Sequence, residues 1–392
     1  MRVVLAGTFG GQGGIQTHYY WLARALLEAG HEVHIVSLGV LLSSEDRDRV
    51  ATLSALGKFK VFCPQAGPDN APEGTLKTAW NLICQLRRIR PQVYVACGTG
   101  WNLFLPAILS GACPRRVFHE VMSGDSCGPR DSRHSIRFGF HQVVAQASPV
   151  ARTFRRVFGW KAEVPVLPAF PEPLEVTATI PTVRRRQITA GLRAGFFSRL
   201  VPHKGALWLV RQWPVLADCL AELHIYGSGP EAEPIRDLIR ENQWQDRVFC
   251  HGRYPDGQAY ADLLSTFDLT LLPTLGAEGA PLVLLESMAC GVPFVSYGVG
   301  GIPDYENPDC FIVDPGSPTT FLDAVKQAAL RLTEGTLDQE RLQQFYFEKF
   351  SYSRLAALWR SFIADDSQSI SSIPSHSIKP EAAGSGQGLL SM

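Results

Sequence analysis

The sequence predicts an α/β protein of two facing domains, each wound around a parallel sheet. Three observations carry that prediction. Short, nearly continuous apolar runs alternate with stretches of helical periodicity, the pattern of strands covered on both faces. The alternation begins again near residue 191 with a second set of runs. Between the two sets lies PEPLEVTATIPTVRRRQITA, whose prolines and basic triplet read as a linker. At 392 residues the chain is long enough for two Rossmann-like domains of similar size.

In order, RVVLAG is the first buried strand and runs into a Gly loop. IQTHYYWLARALLEAGH then places Ile15, Tyr19, Leu22, Ala23 and Leu26 on one helical face and stops at Gly30. EVHIVSL, KFKVFCP, VYVACG, RRVFHEV and QVVAQAS supply the remaining strands of the first domain. In the second, RAGFFSRL, AELHIYGSGP, DRVFCHGR, LTLLPT, PFVSYG and CFIVD are strands, with helices such as EAEPIRDLIREN and AYADLLSTF between them. The expected boundaries are 1–172, a linker at 173–190, 191–350, a last helix at 351–365 and a tail at 366–392. The tail is rich in Ser, Pro and Gly and is expected to be disordered.

Formal net charge is zero, so nothing global points to nucleic acid or another polyanion as partner. The nine cysteines form no CxxC pair and read as structural thiols of a reducing compartment. No run of about 18 apolar residues predicts a membrane span. The N-terminus has no signal-peptide pattern, and the expected location is cytoplasmic.

GTFGGQGGIQTH could hold an anion at a helix N-terminus, but it is no dinucleotide fingerprint. With Gly11 and Gly13 as the first glycines, the third position is Gln16, and the second strand ends without the acid that would hold a ribose. In SRLVPHKG, Arg199 and Lys204 flank a loop after a strand, as suits a diphosphate, although either residue alone reads as a solvated surface cation. Gly227 lies in the tight turn YGSGP, where a planar group can meet backbone.

TLGAEGAPLVLLESMACG holds a helix expected from Pro281 to Cys290, with Pro281 at its first position and the amides of Leu282, Val283 and Leu284 free. Glu286 sits in the middle of this apolar helix and Glu278 in the loop before it. Buried glutamates need partners. Helix chemistry alone leaves two for Glu286: an arginine, or the hydroxyls of a ligand.

EGAPLVLLESMACGVPFV resembles the E-x7-E region of retaining glycosyltransferases of family 4, which have the GT-B fold. RLVPHKG is similar to that family's diphosphate loop, and GTFGGQGGIQTHYYWLARAL to its N-terminal loop and first helix. The resemblance spans residues 1 to about 365. It implies that Glu286 binds the nucleotide ribose and that Glu278 contacts the donor sugar. The backbone of Gly279, Ala280, Pro281, Leu282 and Val283 would lie near that sugar, and Arg199 and Lys204 would hold the diphosphate. Gly13 and Gly14 would close on it from the first domain. His119, in VFHEV, matches the family's active-site histidine, although a lone strand-end histidine is more often structural. EGAP stands where many members have Glu-Gly-Phe-Gly, which leaves the donor sugar open. The last helix would cross back to the first domain.

The implied activity is hexosyl transfer from a UDP- or GDP-sugar with retention, to a glycan or lipid-linked acceptor of cell-surface polysaccharide or glycolipid synthesis. A donor phosphate oxygen would help take the acceptor proton, with no cofactor and no metal. An epimerase or sugar phosphorylase of the same architecture, and a non-catalytic nucleotide-sugar binder, are the alternatives. The segment from Arg115 to Lys161 carries nine Lys or Arg (Arg115, Arg116, Arg130, Arg133, Arg137, Arg152, Arg155, Arg156, Lys161) against Glu120, Asp125 and Asp131. It reads as a solvated basic face or as a docking surface for an anionic membrane, which would place the protein at the inner membrane face.

Overall fold

A computed structural model of the chain describes residues 1–11, 13–38, 43–64, 75–98, 100–180, 191–276 and 278–364. The basic triplet of the linker and the serine-rich tail lie outside the described residues. The first half runs β1 (Arg2–Gly7), α1 (Gly14–Glu28), β2 (Glu32–Ser37), α2 (Ser44–Leu56), β3 (Phe59–Phe62) and α3 (Thr75–Ile89). It continues with β4 (Val93–Cys97), α4 (Trp101–Leu109), β5 (Arg115–Glu120), a 3-10 turn at Ser132–Phe138, β6 (Gln142–Ala145) and α5 (Ser148–Phe158).

After a single turn, α6 (Leu174–Thr177), the second half starts with β7 (Arg193–Phe197), α7 (Ala206–Arg211), α8 (Trp213–Leu216), β8 (Glu222–Tyr226) and α9 (Ala232–Glu241). Then come β9 (Val248–Gly252), α10 (Gly257–Leu264), β10 (Leu269–Leu272), α11 (Leu282–Ala289), β11 (Phe294–Tyr297) and β12 (Phe311–Val313). Three helices close the described chain: α12 (Pro318–Thr333), α13 (Gln339–Lys349) and α14 (Tyr352–Ala364). Each of the twelve apolar runs named above holds one strand.

Both sheets are six-stranded, and their orders are β3-β2-β1-β4-β5-β6 and β12-β11-β10-β7-β8-β9. Counted within each half, both are 3-2-1-4-5-6, and all pairings between strands are parallel. Strand order reverses between the first and fourth strands, which opens a crevice beyond their carboxyl ends where ligands bind in open α/β sheets. Those switch points are β1/β4 and β7/β10.

Helix α14 returns to the first sheet. Leu355, Ala356, Trp359, Phe362 and Ile363 join the core made by α1 and β1, each large apolar chain contributing about 1.5–3 kcal/mol of burial. Arg115, which opens β5, donates to the carbonyls of Phe362 at 2.8 Å and Ile363 at 3.0 Å. Those helix-end carbonyls lack partners within the helix, and the guanidinium supplies them.

The basic segment 115–161 does not form one charged face, because three of its arginines turn inward. Arg115 is held as described. Arg116 donates to the carbonyls of Cys113 and Gly139. Arg133 is fully buried between Glu120 and Asp131, each at 2.7 Å. Arg130, Arg137, Arg152, Arg155, Arg156 and Lys161 are exposed.

Candidate functional site

The loops that leave the switch point of the second sheet carry the charges singled out in the sequence. The loop after β7 holds Arg199 and Lys204; the loop after β10 holds Thr274 and Glu278. The residues Pro202–Lys204 form a 3-10 turn that ends at Gly205. Thr274 Oγ1 donates to the His203 carbonyl at 3.1 Å, and the Leu275 amide to the same carbonyl at 3.0 Å, which ties the two loops together. Lys204 Nζ forms an ion pair with Glu278 Oε1. Thr274 Oγ1 lies 2.8 Å from that same oxygen. Lys204 and Glu278 are each only 8% exposed.

Arg199 differs. It is exposed, and its guanidinium makes no hydrogen bond or ion pair with the described residues. The loop that carries it is fixed by backbone: the Leu200 amide donates to Ser228 at 2.9 Å and the Ser198 amide to Tyr226 at 3.2 Å. Gly227 makes that approach possible, since it has φ 143° and a side chain there would overlap the Ser198 carbonyl. A fixed backbone with an unpartnered cation at its tip suits an anion arriving from solvent.

Helix α11 begins one residue later than the sequence predicts. Pro281 is its N-cap, with φ −65° and ψ 109°. The Leu284 amide donates to the Pro281 carbonyl at 3.2 Å, so Leu282 and Val283 carry the free amides of the first turn. Glu286 is 7% exposed, and no arginine among the described residues meets its carboxylate. Its Oε2 accepts from the Tyr260 hydroxyl at 2.9 Å and its Oε1 from the Glu172 amide at 3.1 Å. Burial raises its pKa to about 7, against the pull of those two donors.

From the first half, the Gly loop meets this helix: a Cβ on Gly14 would lie 3.3 Å from Leu282 Cδ1. The N-termini of α1 and α11 therefore face each other, with Gly13 and Gly14 exposed on one side. Gly279 lies against the end of β5, where a side chain would overlap Val121 O and Gln146 Nε2. The Ser148 amide at the start of α5 donates to Asp304 Oδ2 at 2.6 Å, a second joint between the halves.

His119 is not brought into this cluster. It is 0% exposed, packed against His18 and Trp359 with ring centroids 4.9 Å away in each case. Hydrogen-bond logic fixes its protons. Leu167 O can only accept, so His119 Nε2, 3.1 Å away, carries a hydrogen. Its Nδ1 then accepts from His18 Nε2 at 3.1 Å, and His18 Nδ1 accepts from the Phe170 amide at 3.1 Å. Both rings are neutral and both are filled. Burial lowers the His119 pKa to about 3 and drives His18 in the same direction. The bland reading of a strand-end histidine describes its surroundings here.

Residues 191–330, which hold both charged loops and α11, match the family model "Glycosyl transferases group 1". That part of the chain is a group 1 glycosyltransferase domain, and the protein is a glycosyltransferase. This glycosyltransferase is 24% identical over 362 residues to a subunit of the phosphatidylinositol N-acetylglucosaminyltransferase of Arabidopsis thaliana, covering 88% of this chain and 77% of that protein. It is 27% identical over 216 residues to a GDP-mannose-dependent monoacylated phosphatidylinositol monomannoside mannosyltransferase of Corynebacterium glutamicum, covering 51% of this chain and 55% of that one. Among solved structures, Anabaena Alr3699/HepE in complex with UDP is similar with TM-score 0.69 at 17% identity, over 93% of this chain and all of that one. The fold is GT-B.

Nothing in the sequence of the glycosyltransferase points to the groups that hold Glu286. Tyr260 lies on α10 and reads as one more apolar position. Glu172 donates through its backbone amide, which no sequence pattern marks, while its carboxylate accepts from Trp21 Nε1 at 3.1 Å. Thr274 opens the run that contains Glu278, and its place four residues before that carboxylate is the one signal that could have found it.

Proposed function

We propose that this glycosyltransferase moves a hexose, with retention, from a UDP- or GDP-sugar to a glycan or lipid-linked acceptor in cell-surface polysaccharide or glycolipid synthesis. The observation that carries the proposal is the charge arrangement at the β7/β10 switch point. A buried Lys204–Glu278 pair stands beside Arg199, which has no partner among the described residues, where two helix N-termini converge. That supplies fixed positive potential for a diphosphate and one carboxylate for sugar hydroxyls. In this reading residues 1–172 are the acceptor side and 191–350 the donor side. The Arabidopsis and Corynebacterium relatives are named for inositol-lipid acceptors, which supports a lipid-linked acceptor here.

The chemistry follows from the groups available. As the bond from the anomeric carbon to the leaving oxygen breaks, negative charge grows on the diphosphate, and Arg199, Lys204 and the amides of Gly14, Leu282 and Val283 stabilise it. The acceptor hydroxyl attacks from the same face and passes its proton to a donor phosphate oxygen. His119 takes no proton in this scheme, because its one basic nitrogen is already filled. It is a positioning residue that holds β5, and with it Val121, against Gly279. Glu286 exchanges one of its two donors for ribose hydroxyls when the nucleotide enters. Incubation with UDP-, GDP- and ADP-sugars, with and without lipid-linked and soluble acceptors, tests the reading. Acceptor-dependent release of UDP or GDP supports it; an interconverted sugar, or binding without turnover, would overturn it.

A further inference from the structure

Among the described residues, no helix is long and apolar enough to cross a membrane. Yet twelve large hydrophobic residues among them are exposed, and six of these gather on α3, α4 and the neighbouring 3-10 turn. On α3 they are Leu76 at 88% and Trp80 at 60% exposure; on α4, Trp101, Leu105 and Leu109 at 46, 41 and 62%; and on the turn, Phe138 at 74%. Spacing of four puts each helix's residues on one face. The two helices pack side by side and the turn packs on α4, with Gly139 against Ile108. The six exposed side chains thus lie on three adjoining elements rather than scattered over the surface, the kind of clustering that marks an interaction site.

Charge selects the partner. From Thr75 to His119 there is no Asp or Glu in 45 residues, while Arg87, Arg88 and Arg90 fall within the same stretch. Arg87, Arg88 and Arg90 are exposed. Arg87 Nε donates to Ser110 O at 3.1 Å, which anchors it beside Leu109. Arg137 lies 4.6 Å over the Phe138 ring. Tryptophans and leucines rimmed by arginines fit the boundary between anionic headgroups and acyl chains.

We infer that the α3–α4 face, with Phe138, seats this enzyme on an anionic lipid bilayer. This moves the docking surface away from the 115–161 segment as a whole. It also orients the enzyme. Trp101, the first residue of α4, follows the carboxyl end of β4 at the switch point of the first sheet, so the cluster leads from the mouth of the cleft outward. A lipid-linked acceptor lying in the bilayer then reaches the cleft from the Trp101 end. That consequence rests on the proposed acceptor class; the docking itself does not.

The test is flotation of the full chain with phosphatidylcholine vesicles that contain about 30% phosphatidylglycerol, beside pure phosphatidylcholine vesicles. Wild type should float with the anionic vesicles, and partition should fall as salt is raised. Leu105→Glu with Leu109→Glu should reduce partition by at least about tenfold. Arg87→Ala with Arg88→Ala and Arg137→Ala should reduce it by a similar factor and flatten the salt dependence. All variants should keep wild-type melting temperature and wild-type nucleotide release with a soluble acceptor, which separates failure of docking from failure of the proposed activity. Equal flotation of wild type and the Leu105/Leu109 variant would overturn the inference. So would a wild-type dimer in light scattering that the same variant dissolves, since the cluster would then be an interface between copies of the chain.

Discussion

The two sheets share one strand order, 3-2-1-4-5-6, yet their switch points are furnished in opposite ways. Beyond β7 and β10 stand an exposed arginine, a buried lysine–glutamate pair and, on α11, a glutamate whose pKa burial raises. Beyond β1 and β4 the first half presents glycine backbone, and its His18–His119 pair is sealed and neutral. The same scaffold thus gives one side that holds charge and one that supplies close-fitting backbone. That is the division of labour a transferase needs when the donor is a dianion and the acceptor is a hydroxyl.

The largest effect is expected at Lys204. Lys204→Met leaves Glu278 buried without its cation, which typically costs about 3–5 kcal/mol of stability, and it removes a diphosphate contact. Both turnover and melting temperature should fall. Adding Glu278→Gln should restore most of the stability and none of the turnover. Recovery of both would make the pair merely structural. Arg199→Ala isolates the electrostatic part: with no partner among the described residues, it should leave the melting temperature alone while turnover falls by about 10²–10³-fold.

Gly279 tests the backbone side. Gly279→Ala puts a methyl into Val121 O and Gln146 Nε2, so the halves must part. A loss of kcat on the order of a hundredfold is expected, with the nucleotide affinity of the second half little changed. A variant with wild-type kcat would show that this contact does not matter for closure.

Glu286 and the histidine pair give smaller, pH-dependent effects. A carboxyl whose folded pKa is about 7 favours the protonated form, so its contribution is lost as pH rises from the ordinary 4.5 toward 7. Glu286→Gln should therefore be more stable than wild type above neutrality, by roughly 3 kcal/mol at most. It should also bind nucleotide sugar more weakly, if the carboxylate accepts ribose hydroxyls. Urea unfolding at pH 8 and nucleotide titration read the two effects separately. Weaker stability together with unchanged affinity would assign Glu286 to the core alone.

For His18 and His119 the sign is opposite to that of an ion-paired histidine. Burial lowers their folded pKa values, so the unfolded chain binds the extra protons and stability falls as pH drops below about 6.5. The slope is about 1.4 kcal/mol per pH unit for each ring. His119→Gln should reduce that slope by about one proton's worth. An unchanged slope between pH 7 and 5 would mean that His119 does not stay neutral.

What is legible in the sequence follows from which interactions are local. Strands buried on both faces must be continuously apolar, so all twelve could be found. The charged loops are legible because each sits directly after such a strand. Only the family resemblance places His119 near the cleft; the residues that seal it, His18, Phe170 and Trp359, are distant along the chain and give no local signal. Arg115, Arg116 and Arg133 count into a basic face for the same reason: their acceptors are helix-end and loop carbonyls and two buried acids. Pro281 falls one position off because proline fixes φ near −65° whether it caps a helix or begins one, and only ψ separates the two.

One experiment decides whether the second sheet's switch point binds and activates a nucleotide-diphosphate sugar. Nucleotide diphosphate release from UDP- and GDP-sugars should be measured for wild type and Arg199→Ala at equal melting temperature. Wild type should show acceptor-stimulated release, and the variant a loss of about 10²–10³-fold. Release that is undiminished when Arg199 is removed would contradict that function for the switch point.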